Sequence, residues 1–456
     1  MSPPEVPLST HDETLGGLDD LLAPFHDAEK PRARWRVGTE AEKFGVRRED
    51  GSPLPFEGEA GVQRILLELA ERHGWFPEGE TEGGPIIALR RGDASITLEP
   101  GGQLELSGAP LSSIHQTCAE FRGHMAELRE ISGELGVAWL GLGFHPFARQ
   151  DELPWVPKLR YGVMKHYLPT RGKRALDMMR RTATVQANLD FESEADAVRK
   201  LRVGLALSPV ITAMFANSPF LEGKATGERS HRAAVWLDVD PDRSGLLPFV
   251  WEEGFGYRRY VEWALDAPMF MLKRDGRVVK NTGQTFRAFL RDGFSGARAT
   301  RSDWTTHLNT LFPEVRLKNI LEVRGADSQP TSMVCALPAL LKGLYYDERS
   351  LADAERLIAG LDHASVAAVR PEVAKRALSA ELAGRPLAEW AREVIAIAEA
   401  GLIRLSHLDR QGRDETIHLS GLKALVAEGR CPADALLAQI DPEAPLLPQL
   451  LDKAQV

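Results

Sequence analysis

Apolar and polar positions alternate with period two through much of the first 330 residues and then give way to helical spacing. In "VGTEAEKFG" (37–45) the alternation predicts a strand, and residues i and i+2 of a strand share a face, so Glu40 and Glu42 point the same way. "IIALRRGDASITLEPGGQLELSG" predicts a strand, a turn at Arg91-Gly92-Asp93, a strand, a Pro-Gly-Gly interruption and a third strand. "TATVQANLDF" (182–191), "HRAAVWLDVDPDRSG" (231–245) and "LKNILEVRGAD" (317–327) read as further strands, and "VAWLGLGFHPF" (137–147) as an extended apolar segment. Helical spacing covers 61–75, 111–135 and 194–217. The Pro-, Gly- and Arg-rich stretch 151–173 reads as a functional loop. These patterns predict an α+β class built on an antiparallel sheet. They also predict a tail and short helix (1–35), an antiparallel-sheet core with helices (36–346) and a helical region (347–456) packed on it.

Separating the two faces of each strand gathers the chemistry. Thr97 and Glu99 share a face, as do Gln103, Glu105 and Ser107; so do Thr184, Gln186 and Asn188, and Glu322 with Arg324. Read as a strand, 231–245 puts Arg232 on one face with Ala234, Trp236 and Asp238. A solvated sheet face alternates in the same way, but it usually mixes in lysine; here carboxylates and amides dominate. Two carboxylates about 5 Å apart repel by roughly 3 kcal/mol at an effective dielectric near 20. Several such pairs would strain a fold stable by only about 5–15 kcal/mol. A hard divalent cation, Mg²⁺ or alternatively Mn²⁺, removes that repulsion with oxygen ligands alone. Arginine facing the same cavity is the usual companion of a transferring phosphoryl group, although Arg324 could equally be a plain ion-pair partner of Glu322.

Composition narrows the partners. The chain has 456 residues, 43% apolar and 27% charged, with a net charge of −9, which favours neither nucleic acid nor an anionic membrane. No apolar run is long enough to span a bilayer, and the first residues lack the basic start and apolar stretch of a signal peptide. Cys118, Cys335 and Cys431 are scattered, which argues against a disulfide framework or zinc site and for a reduced cytoplasmic compartment; Cys118 reads as a small core residue. There is no G-x-x-x-x-G-K-[ST] loop, no nucleophile elbow and no H-E-x-x-H, and "GLGFHP" has proline where a dinucleotide motif needs its third glycine.

The ordered blocks "GTEAEKFG", "ITLEPGGQLELSGAPLSSIHQTCAE", "LDMMRRTATVQANLDF", "FANSPFLEGK", "DVDPDRSGLLPFV", "FPEVRLKNILEVRGAD" and "CALPALLKGLYYDE" closely resemble the plant-type glutamate–cysteine ligases, from about Arg36 to Asp347. The resemblance implies a glutamine-synthetase-like fold, a curved antiparallel sheet forming a funnel surrounded by helices. It also implies ATP- and Mg²⁺-dependent joining of the L-glutamate γ-carboxyl to the L-cysteine amine through γ-glutamyl phosphate, by a monomer or homodimer. By that resemblance Glu40, Glu42, Glu99, Glu105, Gln186 and Glu322 are metal ligands and Arg324 meets the transferring phosphoryl group. The amine must also lose a proton, to Glu99 or Glu105, and Glu105 is taken as the catalytic candidate. Arg232 and Arg181 contact substrate, and Lys43 joins Arg324 at the nucleotide. The chain reads "RAAVW" where members often have R-S-H-[IV]-W, and Ala41 stands where histidine is common. Plant members carry regulatory disulfides, for which the scattered cysteines offer no close pair. Relatives with another amine acceptor, or without catalysis, remain the alternatives.

Overall fold

The structure is a computed structural model that describes residues 13–81, 83–274 and 277–456. The start of the expected N-terminal tail lies outside the described residues; its short helix is α1 (Leu18–His26). The main sheet contains β1 (Val37–Arg47), β2 (Phe76–Glu78), β3 (Ala88–Arg91), β4 (Ala94–Leu98), β5 (Leu104–Ser107), β6 (Val137–Leu140), β7 (Thr184–Leu189), β8 (Val315–Leu317) and β9 (Leu321–Asp327). Its order is β8-β9-β7-β1-β5-β4-β3-β2, with β6 on the far half of β1, and every neighbouring pair is antiparallel. The α+β class and the antiparallel sheet expected from the alternation are therefore present.

β1 is central. Its first half pairs β7 on one side and β5 on the other, opposing Glu40 to Gln186 and Ser107, and Glu42 to Glu105. Thr97 extends the second row across β4. The opposite face carries Ala41, Leu104, Leu106, Val185, Ala187, Leu321 and Val323, all buried. Helices α2 (Val62–His73), α3 (Ile114–Glu134), α4 (Leu159–Tyr167), α5 (Glu194–Met214), α6 (His231–Trp236) and α7 (Ala336–Tyr345) follow in the chain. Helix α5 packs on β9, and α7 packs on β7 and β1. The sheet is thus apolar against helices and polar on the face left open.

Two turns set the rim of that open face. Gly92, at φ 58°, leads the two-residue β3–β4 hairpin, where positive φ matches the twist of the strands. Between β4 and β5, a Cβ on Gly101 would stand 2.3 Å from the Arg180 carbonyl oxygen; only glycine lets this turn close on its neighbour and leave Glu99 at the rim.

Three expectations are corrected. Residues 231–236 form helix α6, not a strand; Ser230 caps it by accepting the Ala233 amide. Arg232 and Trp236 share a face through i,i+4 spacing, and Ala234 does not share it. The stretch 151–173 is not all loop, since it holds α4. Cys118 and Cys335, 217 residues apart, form a disulfide with Cα atoms 6.0 Å apart; distance along the chain says nothing about α3 and the start of α7 meeting in space. Both helices touch the turn Glu415–Leu419, where the Glu415 carboxylate accepts the Ile114 amide at 2.7 Å and the Lys342 ammonium at 2.8 Å.

Titration in denaturant should find one reactive thiol, that of the free Cys431, and all three cysteines only after reduction. Cys118→Ser should lower unfolding stability by about 2–4 kcal/mol, because the unfolded chain regains the entropy of an open loop; equal urea midpoints with and without reductant would contradict the bridge.

Candidate active site

The open face of the sheet is the floor of a cavity of about 460 Å³. Glu40, Glu42, Glu99, Glu105 and Gln186 line it together with Arg232 and Arg324. Alternation on β1, β5 and β7 brings these acids and the glutamine together. One oxygen of each acid is oriented by neutral donors. Asn188 Nδ2 donates to Glu40 at 2.8 Å and the Thr184 amide to Glu42 at 2.9 Å. Ser107 and Thr97 hydroxyls donate to Glu105 at 2.6 and 3.2 Å. Glu99 receives the Tyr161 hydroxyl at 3.4 Å, with Arg160 3.9 Å away.

Neutral donors orient a carboxylate but do not cancel its charge, and the acids feel each other. Burial, then repulsion from Glu105 and Glu322, pushes Glu40 up to about 7. Burial, then Glu99 and Glu105, holds Glu42 well above the ordinary glutamate value. Burial and Glu99 raise Glu105. Among the described residues no three His, Cys, Asp or Glu side chains stand as a ready-made metal ligand set. The donor chemistry nevertheless suits a hard divalent ion: oxygens only, crowded, and destabilised in the charged state.

Glu322 is different. It is fully buried, and its oxygens are committed to Arg316 at 2.7 Å, Lys318 at 3.0 Å and Arg324. Burial opposes its ionisation, but these three cations overcome it and hold it well below the usual range. Its carboxylate therefore anchors the cationic wall of the cavity, while its charge still acts on Glu40. Arg324 also donates to Gln186 at 2.8 Å. Arg232, on α6, donates to the Arg324 carbonyl at 2.9 Å and leaves its Nε without a partner.

Two candidates lie elsewhere. Lys43 falls on the helix-covered face of β1, where its ammonium meets the Ala41 carbonyl at 3.2 Å and His124 on α3 at 3.3 Å. Burial pulls its pKa down to about 7, and the sheet separates it from the cavity, so it does not contact a nucleotide bound there. Arg181 ends a helix (Ala175–Arg181) and points to Asp177 and Glu222, at 3.4 and 3.1 Å, in a separate surface groove.

The opposite rim comes from the stretch that sequence reasoning left open between a loop over nucleotide phosphates and a solvated loop, naming none of its residues as site residues. Lys158, Arg160, Tyr161 and Met164 come from α4 and its N-terminal flank, and Lys273 from across the opening. Burial, then Arg160, lowers Lys158 to about 8. The signal was the Arg/Lys cluster in "KLRYGVMKHYLPTRGKR", legible as basic but not as helix. Met178 and Met179 also line the cavity.

The family model described as Glutamate-cysteine ligase family 2 (GCS2) matches residues 36–449. The chain is 44% identical to the chloroplastic glutamate–cysteine ligase of Brassica juncea, over 93% of this chain and 81% of that protein. It is 43% identical to the Arabidopsis thaliana enzyme of the same name, over 93% and 80%. A crystal structure of Francisella tularensis glutamate–cysteine ligase in complex with AMP superposes with TM-score 0.53 at 13% identity, over 92% of this chain and 87% of that one, a likeness of fold. The cytoplasmic placement expected from the cysteine count is overturned by the plant relatives, which are named chloroplastic. With the match running from the first strand of the sheet to the last helix, the chain belongs to glutamate–cysteine ligase family 2 and is an ATP-dependent ligase of glutamate and cysteine.

Proposed function

We propose that the cavity holds L-glutamate, L-cysteine and ATP over the carboxylate face of the sheet, with Mg²⁺ bound among Glu40, Glu42 and Glu99, assisted by Gln186, and with Glu105 beside them as the proton acceptor. The observation that carries this reading is the meeting of four carboxylates, three of them raised by burial and by their neighbours' charge, with Arg232 and Arg324 in one cavity. The bound cation would supply charge neutralisation between two anions that must meet, the carboxylate and the polyphosphate.

The chain's own residues do the rest. Arg232, with an unpartnered guanidinium Nε, holds the α-carboxylate of glutamate and turns its γ-carboxylate inward. Arg324, braced by Glu322 and Gln186, faces the phosphoryl group in flight, where a fixed cation stabilises charge without reorganising. A γ-carboxylate oxygen attacks the terminal phosphorus of ATP, the bridging P–O bond breaks, and ADP leaves. The cysteine nitrogen then attacks the acyl carbon, and phosphate departs with the C–O electron pair. Glu105, raised by burial and Glu99, first attracts the cysteine ammonium and then takes its proton. Lys158 and Arg160 on the far rim meet the nucleotide phosphates.

With ATP, Mg²⁺ and glutamate present, ADP release should rise sharply on adding cysteine but not alanine or ammonia; equal stimulation by alanine would overturn the choice of acceptor. Glu105→Gln should lose about 100-fold in cysteine-dependent turnover while still forming acyl phosphate from glutamate and ATP; loss of the acyl phosphate as well would make Glu105 a metal ligand instead.

A pH series tests the acidic cluster. Glu40 is raised from 4.5 to about 7, so the stability it contributes is complete below pH 4.5 and is lost as pH rises through 7. The Mg²⁺-induced rise in Tm should therefore be small at pH 5 and large at pH 8, and Glu40→Gln and Glu42→Gln should each shrink it. No Mg²⁺-dependent shift at pH 8 would remove the metal from this site.

A further inference from the structure

Arg243 is wholly buried and lines no part of the cavity, yet its atoms reach the two segments that carry Phe270 and Phe312 in the cavity's aromatic wall. Its guanidinium Nη2 donates to the Pro268 carbonyl at 2.6 Å and its Nη1 to the Thr310 carbonyl at 3.3 Å. Its Nε donates to the buried Asp240 carboxylate at 2.7 Å. The flat of the same group lies 4.0 Å from the Phe270 ring centroid, and the Arg243 carbonyl accepts the Phe312 amide at 2.6 Å. Phe270, Thr310 and Phe312 face the cavity. The two phenyl rings stand 6.4 Å apart, and Trp236 continues the row 6.4 Å beyond Phe312.

We infer that Arg243 is a positioning residue: without touching a substrate, it fixes the aromatic wall of the cavity and through it the affinity for the one substrate whose least polar surface packs there. The inference rests on the ligase reading of the cavity. The geometry calls for arginine specifically. A planar fork can donate along three directions in one plane while stacking on Phe270 above it, whereas a lysine ammonium is a point donor that cannot do both. This wall is one apolar surface of a cavity that Tyr161, Met164, Met178 and Met179 also line, and its position discriminates side chains or bases by shape.

The test is steady-state kinetics with each of the three substrates varied in turn, for the wild type, Arg243→Lys, Asp240→Asn and the direct wall variant Phe270→Leu. Wild-type cysteine-dependent ADP release establishes the ligase reading independently. Arg243→Lys should raise KM for one substrate about fivefold, a shift of roughly 1 kcal/mol, with kcat and the other two KM values within about twofold. Phe270→Leu should raise KM for that same substrate, and the two changes should be less than additive in the double variant, because one acts through the other. Asp240→Asn keeps the shape of the anchor and should give the same pattern more weakly, which serves if Arg243→Lys does not accumulate. A fall in Tm with all three KM values unchanged, or raised KM for different substrates in Arg243→Lys and Phe270→Leu, would overturn the inference.

Discussion

Like charge held on a rigid surface is the constraint from which the rest of this molecule follows. A β-sheet fixes its side chains at regular intervals, so Glu42 cannot retreat from Glu105, its cross-strand partner, nor Glu40 from Glu42, two residues along β1. In a flexible loop such acids would separate into solvent. On the floor of a cavity they stay crowded and desolvated, and burial, then their mutual repulsion, raises Glu40, Glu42 and Glu105. A surface in that condition is stabilised by whatever brings positive charge to it, be it metal, substrate ammonium or proton. Binding and chemistry thus draw on a strain that the hydrophobic backing of the sheet maintains: helices α5 and α7 bury the opposite face and lock the register.

Much of this was legible because parity is a strong rule. On β1, β4, β5 and β7 most of the polar set predicted by alternation lines the cavity, while Ser107 and Asn188 donate to Glu105 and Glu40 beside it. The same rule, applied one residue further, places Lys43 on the opposite face from Glu42, and that is where it lies, against His124. Its assignment to the nucleotide came from the family resemblance and not from the pattern. The segment 231–236 misled for a physical reason. In "HRAAVW" residues two apart and four apart are both compatible with one face, so a short stretch fits a strand and a helix alike. The deciding signal was Ser230, whose side chain caps the first turn and which reads as an N-cap only once a helix is considered. The Cys118–Cys335 pair and the Lys158–Met164 rim depend on which segments meet in space, and no local pattern encodes that.

The cations show the same economy of placement. Glu322 lies in the same sheet as the acids, yet three basic groups gather on it. A buried carboxylate paired with Arg316, Lys318 and Arg324 offsets part of their mutual repulsion, so that they stand beside one another as free cations in a cavity would not. The acid floor and the cationic wall can then face each other across a space wide enough for substrates instead of collapsing into ion pairs.

The irregularity in β9 is what joins the two arginines. The β9–β7 register shifts between Val323 and Ala326, and a bulge leaves the backbone groups of the intervening residues out of the ladder. Those groups must find other partners. The Arg324 amide donates to the Glu314 carbonyl at 3.2 Å, and the Arg324 carbonyl accepts Arg232 Nη2 at 2.9 Å and the Thr184 hydroxyl at 3.3 Å. On an unbroken strand that carbonyl would belong to the neighbouring strand, and Arg232 would have to find its acceptor elsewhere. The bulge therefore does two things at once: it turns the Arg324 side chain towards Gln186, and it offers the backbone oxygen that holds Arg232 beside it, so that the groups proposed to grip the substrate carboxylate and the phosphoryl oxygens are set by one local defect in the sheet.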